Sequence, residues 1–176
     1  MNQENVWYNV KAHEFGDHII GSIYGNSDNI IKRSVSYNAN DLPDLKGKSG
    51  FKVVFSVSSV DGNEAKADAK SLLLAREQVL RMVRHNTAKI EVVLKSDVDG
   101  KNYALKALAV INKTGNRHKK LVRKELEEKL ADEIDKKPLR ELIDDIVTEK
   151  LQRSLVKKLN KIYPTRAVEI RALEPL

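Results

Sequence analysis

Phe51-Lys52-Val53-Val54-Phe55-Ser56-Val57-Ser58-Ser59-Val60-Asp61-Gly62-Asn63-Glu64-Ala65-Lys66-Ala67-Asp68-Ala69-Lys70 decides the fold class. Phe51, Val53, Phe55 and Val57 alternate with Lys52, Val54, Ser56 and Ser58, the two-residue period of a strand with one buried face. Ala65, Ala67 and Ala69 alternate with Lys66, Asp68 and Lys70 on the return. Between the two runs, Asp61-Gly62-Asn63 offers residues that accept the left-handed backbone of a tight hairpin turn. The stretch reads as an antiparallel hairpin.

Upstream, Val6-Trp7-Tyr8-Asn9-Val10 and Ile19-Ile20-Gly21-Ser22-Ile23-Tyr24 read as strands around a turn at Phe15-Gly16-Asp17. Trp7 and Tyr8 are neighbours on a strand and point to opposite faces, so one belongs to the core and the other is half-exposed. Ser34-Val35-Ser36-Tyr37 is a further strand, followed by a loop at Asp41-Leu42-Pro43-Asp44.

Downstream, the spacing predicts a helix over 72–86, with Leu72, Ala75, Val79, Leu80, Met82 and Val83 on its apolar face. A second hairpin follows, Ile90–Leu94 and Tyr103–Ile111 flanking Asp97-Val98-Asp99-Gly100, its second strand buried on both faces over the latter half. Leu121, Val122, Leu126, Leu130 and Ile134 mark one helix. Pro138 starts another with Leu139, Leu142, Ile143, Ile146 and Val147, and a third carries Leu151, Leu155, Leu159 and Ile162 up to Pro164. The expected fold is α+β: a mixed, mostly antiparallel sheet or partly closed barrel built from hairpins, with one central helix and a C-terminal helical segment before a last strand. It is expected as one domain over 1–176: mainly β over 1–113, helical over 117–162, and closed by a strand over 166–172.

Charge is segregated along this chain. The net charge is +7 with a pI near 9.5, yet residues 71–124 alone hold 13 Lys and Arg against 4 Asp and Glu. Residues 125–148 reverse the balance, with 4 against 9. A uniformly solvated surface has no reason to sort its charges this way, and a basic block points to a polyanionic partner. The block holds Arg76, Arg81 and Arg84, then Lys113, Arg117, Lys119, Lys120, Arg123 and Lys124, which open a helix where cations oppose the backbone dipole. These nine are the candidate RNA contacts, acting on phosphates. The plainer reading pairs them along the helix, as Arg123 with Glu127 or Lys124 with Glu128. Aromatic residues are 5% of the chain, and no strand carries the stacking aromatics of an RNA-recognition module.

Chemistry of other kinds finds little support. With no cysteine there is no disulfide, thiol nucleophile or cysteine-ligated zinc. His13-Glu14 and Asp17-His18 span a turn, without the helical spacing of a zinc motif. Gly47-Lys48-Ser49-Gly50 lacks the upstream glycine of a phosphate-binding loop, and Asp144 and Asp145 diverge as neighbours on a helix. No catalytic, cofactor or metal residues are assigned, and the chain is expected not to be an enzyme. No apolar run approaches the ~20 residues of a membrane helix, and the opening Met1–Asn5 has no signal-peptide character. A cytoplasmic protein without membrane partners is expected.

The ordered pieces carry a resemblance. Trp7-Tyr8-Asn9-Val10-Lys11-Ala12, Leu74-Ala75-Arg76-Glu77 through Arg84, Asp99-Gly100-Lys101-Asn102-Tyr103-Ala104-Leu105 and Lys161-Ile162-Tyr163-Pro164-Thr165-Arg166-Ala167-Val168-Glu169-Ile170-Arg171 stand in sequence. Together they resemble the S-three-Ae family of small-subunit ribosomal proteins, in its archaeal form. The resemblance implies a structural constituent of the small ribosomal subunit, seated on its platform near the 3′ end of the ribosomal RNA and the mRNA exit. Its partners would be that RNA, neighbouring small-subunit proteins and mRNA near the exit channel, with the chain a monomer off the ribosome. A free-standing RNA- or protein-interaction module, docking through the acidic helix around Glu125–Asp145, is the alternative.

Overall fold

The computed structural model describes residues 5–134 and 137–176. Among the described residues it is an α+β fold of eight strands in one unclosed, mostly antiparallel sheet, with five α-helices. The deciding hairpin forms as expected. β4 (Phe51–Asp61) and β5 (Glu64–Leu74) pair antiparallel along their length, and Gly62 takes φ +58° at the turn. Phe51, Val53, Phe55, Val57, Ala65, Ala67 and Ala69 all face the core.

Two strand groups share β5. On one side β4 leads to β3 (Ser34–Asn38). On the other, β1 (Val6–Ala12) runs parallel to the first half of β5 and pairs with β2 (His18–Gly25). Further along that same edge, Leu72 and Leu73 pair with β8 (Thr165–Pro175). β8 then continues into β7 (Lys101–Asn112) and β6 (Thr87–Val98). β7 lies between two strands, and Ala107 to Ile111 are buried on both faces, as the unbroken apolar run predicts. Its turn places Asp99 and Gly100 at φ +53° and +73°, the paired left-handed geometry of a two-residue hairpin loop.

The helices close the core. α3 (Asn116–Ile134) buries Val122, Leu126, Leu130 and Ile134 and packs on β6, while α5 (Lys150–Leu159) lies along β8. α4 (Leu139–Val147) packs against α5, and its first amide donates to the Asp99 carboxylate at 2.9 Å. The turn aspartate therefore also satisfies an orphan amide at a helix start. A short α1 (Ser27–Ile30) drops Ile30 into the core. Gly47 meets the end of α4 so closely that a Cβ there would stand 2.1 Å from the Val147 carbonyl oxygen. Beside it, the Lys48 amide donates to that same oxygen at 2.9 Å.

Three expectations need correction. The central helix does not run over 72–86: β5 continues to Leu74, and α2 spans only Arg76–Met82. Leu72 and Leu74 are buried as strand residues, whereas α2 buries none of its own and leaves Leu80 63% exposed. A triple of leucines satisfies strand and helix periods alike, and strand pairing to Phe51 and Val53 wins. The closing strand is longer than 166–172, running from Thr165 to Pro175. The last helix stops at Leu159, which leaves Ile162 outside it and exposed.

Candidate nucleic-acid interface

α3 begins directly after β7, so the first turns of the helix project from one end of the β6–β7–β8 meander. Its buried stripe fixes the rest of the wheel. Arg117, Lys120 and Lys124, three and four residues apart, form one exposed row away from Val122 and Leu126. Asn116, Lys119, Lys120 and Arg123 line a shallow groove of about 190 Å³ beside that row. No acidic residue lies in the first turn. His118 stays exposed, its ring 4.9 Å from that of Tyr163 and its Nδ1 at 3.2 Å from the Thr114 hydroxyl.

The same end of the sheet collects cations from three further segments. The Lys113 amide donates to the Asn86 carbonyl at 3.1 Å, which brings Lys113 beside the Arg84–Asn86 turn. Thr87 fixes that turn by donating from its hydroxyl to the Arg84 carbonyl at 2.6 Å. On the neighbouring strand, Arg166 donates from Nε to the Asn112 side-chain oxygen at 2.7 Å. Arg166 therefore joins Arg84 and Lys113 at this rim, though 54 residues separate it from Asn112. Sequence reasoning missed it, because only strand register brings it there.

Arg76 lies elsewhere. It opens α2 over a groove of about 560 Å³, with Val79 and Leu80 on the helix side and Lys89, Lys106, Arg171 and Glu174 on the sheet side. Glu91 ties this floor together, accepting from Lys89 at 2.9 Å and from Arg171 at 2.6 Å. Those contacts, led by the hydrogen bond from Lys89, hold its carboxyl below the ordinary carboxylate range. Lys89, Lys106 and Arg171 lie on three different strands, which hid the groove from a local reading. Arg81 stands exposed in the last turn of α2.

Few of these cations meet a carboxylate. Of Arg76, Arg81, Arg84, Lys113, Arg117, Lys119, Lys120, Arg123 and Lys124, only Lys124 makes an ion pair with a described residue, to Glu128 at 3.7 Å. Of the two pairings that the plainer reading offered, Lys124–Glu128 forms and Arg123–Glu127 does not. Apart from Lys119, which is half-buried, all nine are exposed. The cations at the start of α3 stand close enough to repel one another, and only Lys124 has a carboxylate beside it.

A model of the Ribosomal S3Ae family matches residues 3–176. The chain belongs to that family. It is 29% identical over 172 residues to the small ribosomal subunit protein eS1 of Methanothermobacter thermautotrophicus, covering 96% of this chain and 88% of that protein. The protein of the same name from Methanobrevibacter smithii is 28% identical over 173 residues, covering 96% and 89%. That of Desulfurococcus amylolyticus is 27% identical over 170 residues, covering 93% and 79%.

The acidic half of this S3Ae chain behaves differently from its basic end. Glu133 accepts from Lys158 at 2.8 Å and lies 3.9 Å from Lys137. Glu125 and Asp132 both flank Lys129, and Asp144 and Asp145 both flank Lys150. Lys137 also hydrogen-bonds Asp145. These carboxylates tie α3, α4 and α5 to one another. Among the described residues no group of three or more His, Asp or Glu is arranged to hold a metal ion, and no helix is long and apolar enough to cross a membrane.

Proposed function

We propose that this S3Ae chain is a structural constituent of the small ribosomal subunit that holds ribosomal RNA by its phosphates. The observation that carries the reading is the set of cations at the start of α3 and the adjoining rim, of which only Lys124 meets a carboxylate. A surface of one sign on a helix packed into the core matches a polyanion better than any substrate. Arg84, Lys113, Arg117, Lys119, Lys120, Arg123 and Lys124 contact one stretch of RNA, with Arg166 as a further member. Arg76 and Arg81 serve the α2 side. The role is architectural rather than catalytic, on the ribosome in the cytoplasm, beside neighbouring small-subunit proteins and close to mRNA at the exit channel. Away from the ribosome the chain is a monomer.

The alternative, a free-standing module docking through the acidic helix, is less well supported. Its carboxylates already hold lysines of the same chain, so a partner would have to break those pairs. Salt dependence tests the main reading. Each phosphate contact contributes a slope of roughly 0.7–0.9 in log affinity against log salt, so eight contacts give roughly 6 to 7. Binding measured from 50 to 300 mM salt should show that steepness, and the protein should sediment with small subunits in a sucrose gradient. A flat response, or protein only at the top of the gradient, removes the reading.

A further inference from the structure

The outer face of the β1–β2–β5 sheet carries an aromatic pair left largely exposed by the described residues. Trp7 is 64% exposed and Tyr24 51% exposed, although large aromatic side chains are usually sheltered on at least one face. They are cross-strand partners, with ring centroids 5.3 Å apart and planes tilted by 48°. Two residues further along each strand, roughly 7 Å away, Asn9 and Ser22 are partners on the same face, joined at 3.1 Å from the serine hydroxyl to the amide oxygen. One step further, Lys11 of β1 stands beside Lys66 of β5. Lys11 is held by Glu64 at 2.6 Å, whereas exposed Lys66 makes no ion pair with a described residue. At the aromatic end, Arg33 donates to the Tyr24 carbonyl at 3.3 Å, which fixes a guanidinium at the edge of the platform.

We propose that this face binds a short run of unpaired RNA nucleotides, with a base stacked on Trp7 and Tyr24 and the backbone passing the cations at both ends. A bare apolar patch would suit a protein neighbour. This one is bordered by Arg33 and Lys66 and continues into a tier of amide and hydroxyl, which gives it charge complementarity to a polyanion and groups that can meet base edges. Stacking on aromatics accepts any base, because every base has a π-face, so the site reads single-strandedness rather than sequence. A duplex keeps its bases stacked inside and has none to offer. The site is separate from the cations of α2 and α3, and the proposal rests on the reading of the chain as an RNA-binding protein.

Trp7 is the sole tryptophan, so its emission reports on this face alone. The probes are a ten-nucleotide uridylate strand, the same strand without bases, and a ten-base-pair RNA duplex, each titrated into the full chain at fixed salt. The uridylate strand is expected to quench Trp7 saturably, and the abasic strand and the duplex to leave it unchanged. Trp7→Ala and Tyr24→Ala should each weaken single-strand binding about ten-fold with duplex affinity intact, and Trp7→Phe should restore most of it. Emission indifferent to the bases overturns the proposal, as does a Trp7→Ala variant that binds single strands like the parent. Should that variant instead lose only a neighbouring protein, the pair is a protein contact and the proposal falls. A Lys119→Glu, Lys120→Glu, Arg123→Glu chain separates the two readings. If it loses the duplex while Trp7 never responds to any strand, the α3 interface stands and this site does not. If the parent binds no RNA of any form, both fall together.

Discussion

α2 and α3 carry the same kind of charge and are attached to the sheet in opposite ways. α3 is 19 residues long and inserts four side chains into the core, so its cations stand on a rigid mount. α2 has 7 residues and buries none of them, so its arginines ride on an element held mainly by its two flanking strands. Packing rather than propensity gives most helices their stability in proteins. A cation on α3 is thus held more rigidly than one on α2, so the α2 arginines should lose more conformational freedom in any contact they make.

The largest effect should come from reversing the mounted charges. Lys119→Glu, Lys120→Glu and Arg123→Glu together should weaken RNA binding by at least about a hundred-fold at low salt and lower the salt slope by roughly 2 to 3, with the melting temperature little changed. Filter binding across a salt series measures both, and an unchanged slope would dissolve the distinction between the helices. Leu126→Ala strikes the mount itself and should cost about 3 kcal/mol of stability in urea denaturation. Next come Arg76→Ala, Arg81→Ala and Arg84→Ala, each expected to lower the salt slope by roughly 0.7–0.9 and to leave stability within about 0.5 kcal/mol.

A pH effect probes the acidic end of the helical layer. The hydrogen bond and attraction to Asp145 hold the Lys137 ammonium above the ordinary amine value of 10.5, with burial partly opposing. A lysine raised in the folded state adds stability that is full below its unfolded value and lost as pH rises through the folded one. The unfolding free energy should therefore decline above about pH 10.5, and Lys137→Met should flatten that limb. The smallest effect belongs to Leu80→Asn on α2, expected within about 0.5 kcal/mol. A loss of several kcal/mol there would mean that α2 is seated as firmly as α3.

What could be read in the sequence followed from local periods. β4, β5 and the β6–β7 hairpin were legible because alternation and Asp-Gly turns act within a few residues, and the buried stripe of α3 was legible from its four-residue spacing. The opposite faces of Trp7 and Tyr8 also followed from strand geometry, with Tyr8 only 6% exposed. Leu72-Leu73-Leu74 was misread because a run of leucines carries no period of its own, and the pairing partner decided it. The nine cations were readable as a basic block. That eight of them stay clear of carboxylates was not, since Arg123 leaves Glu127 unpaired although the helical spacing allows the contact. Arg166, the α2 groove and the Trp7–Tyr24 platform were out of reach for another reason: each is assembled by strand register across tens of residues.

Gly47 looked in the sequence like a fragment of a phosphate loop, and its use is purely spatial. With the Val147 carbonyl filling the place of a side chain, this codon admits no missense change without prying the loop away from the helical layer. Random mutagenesis with selection for folded protein should therefore recover position 47 unaltered while its neighbour Lys46, exposed to solvent, drifts freely.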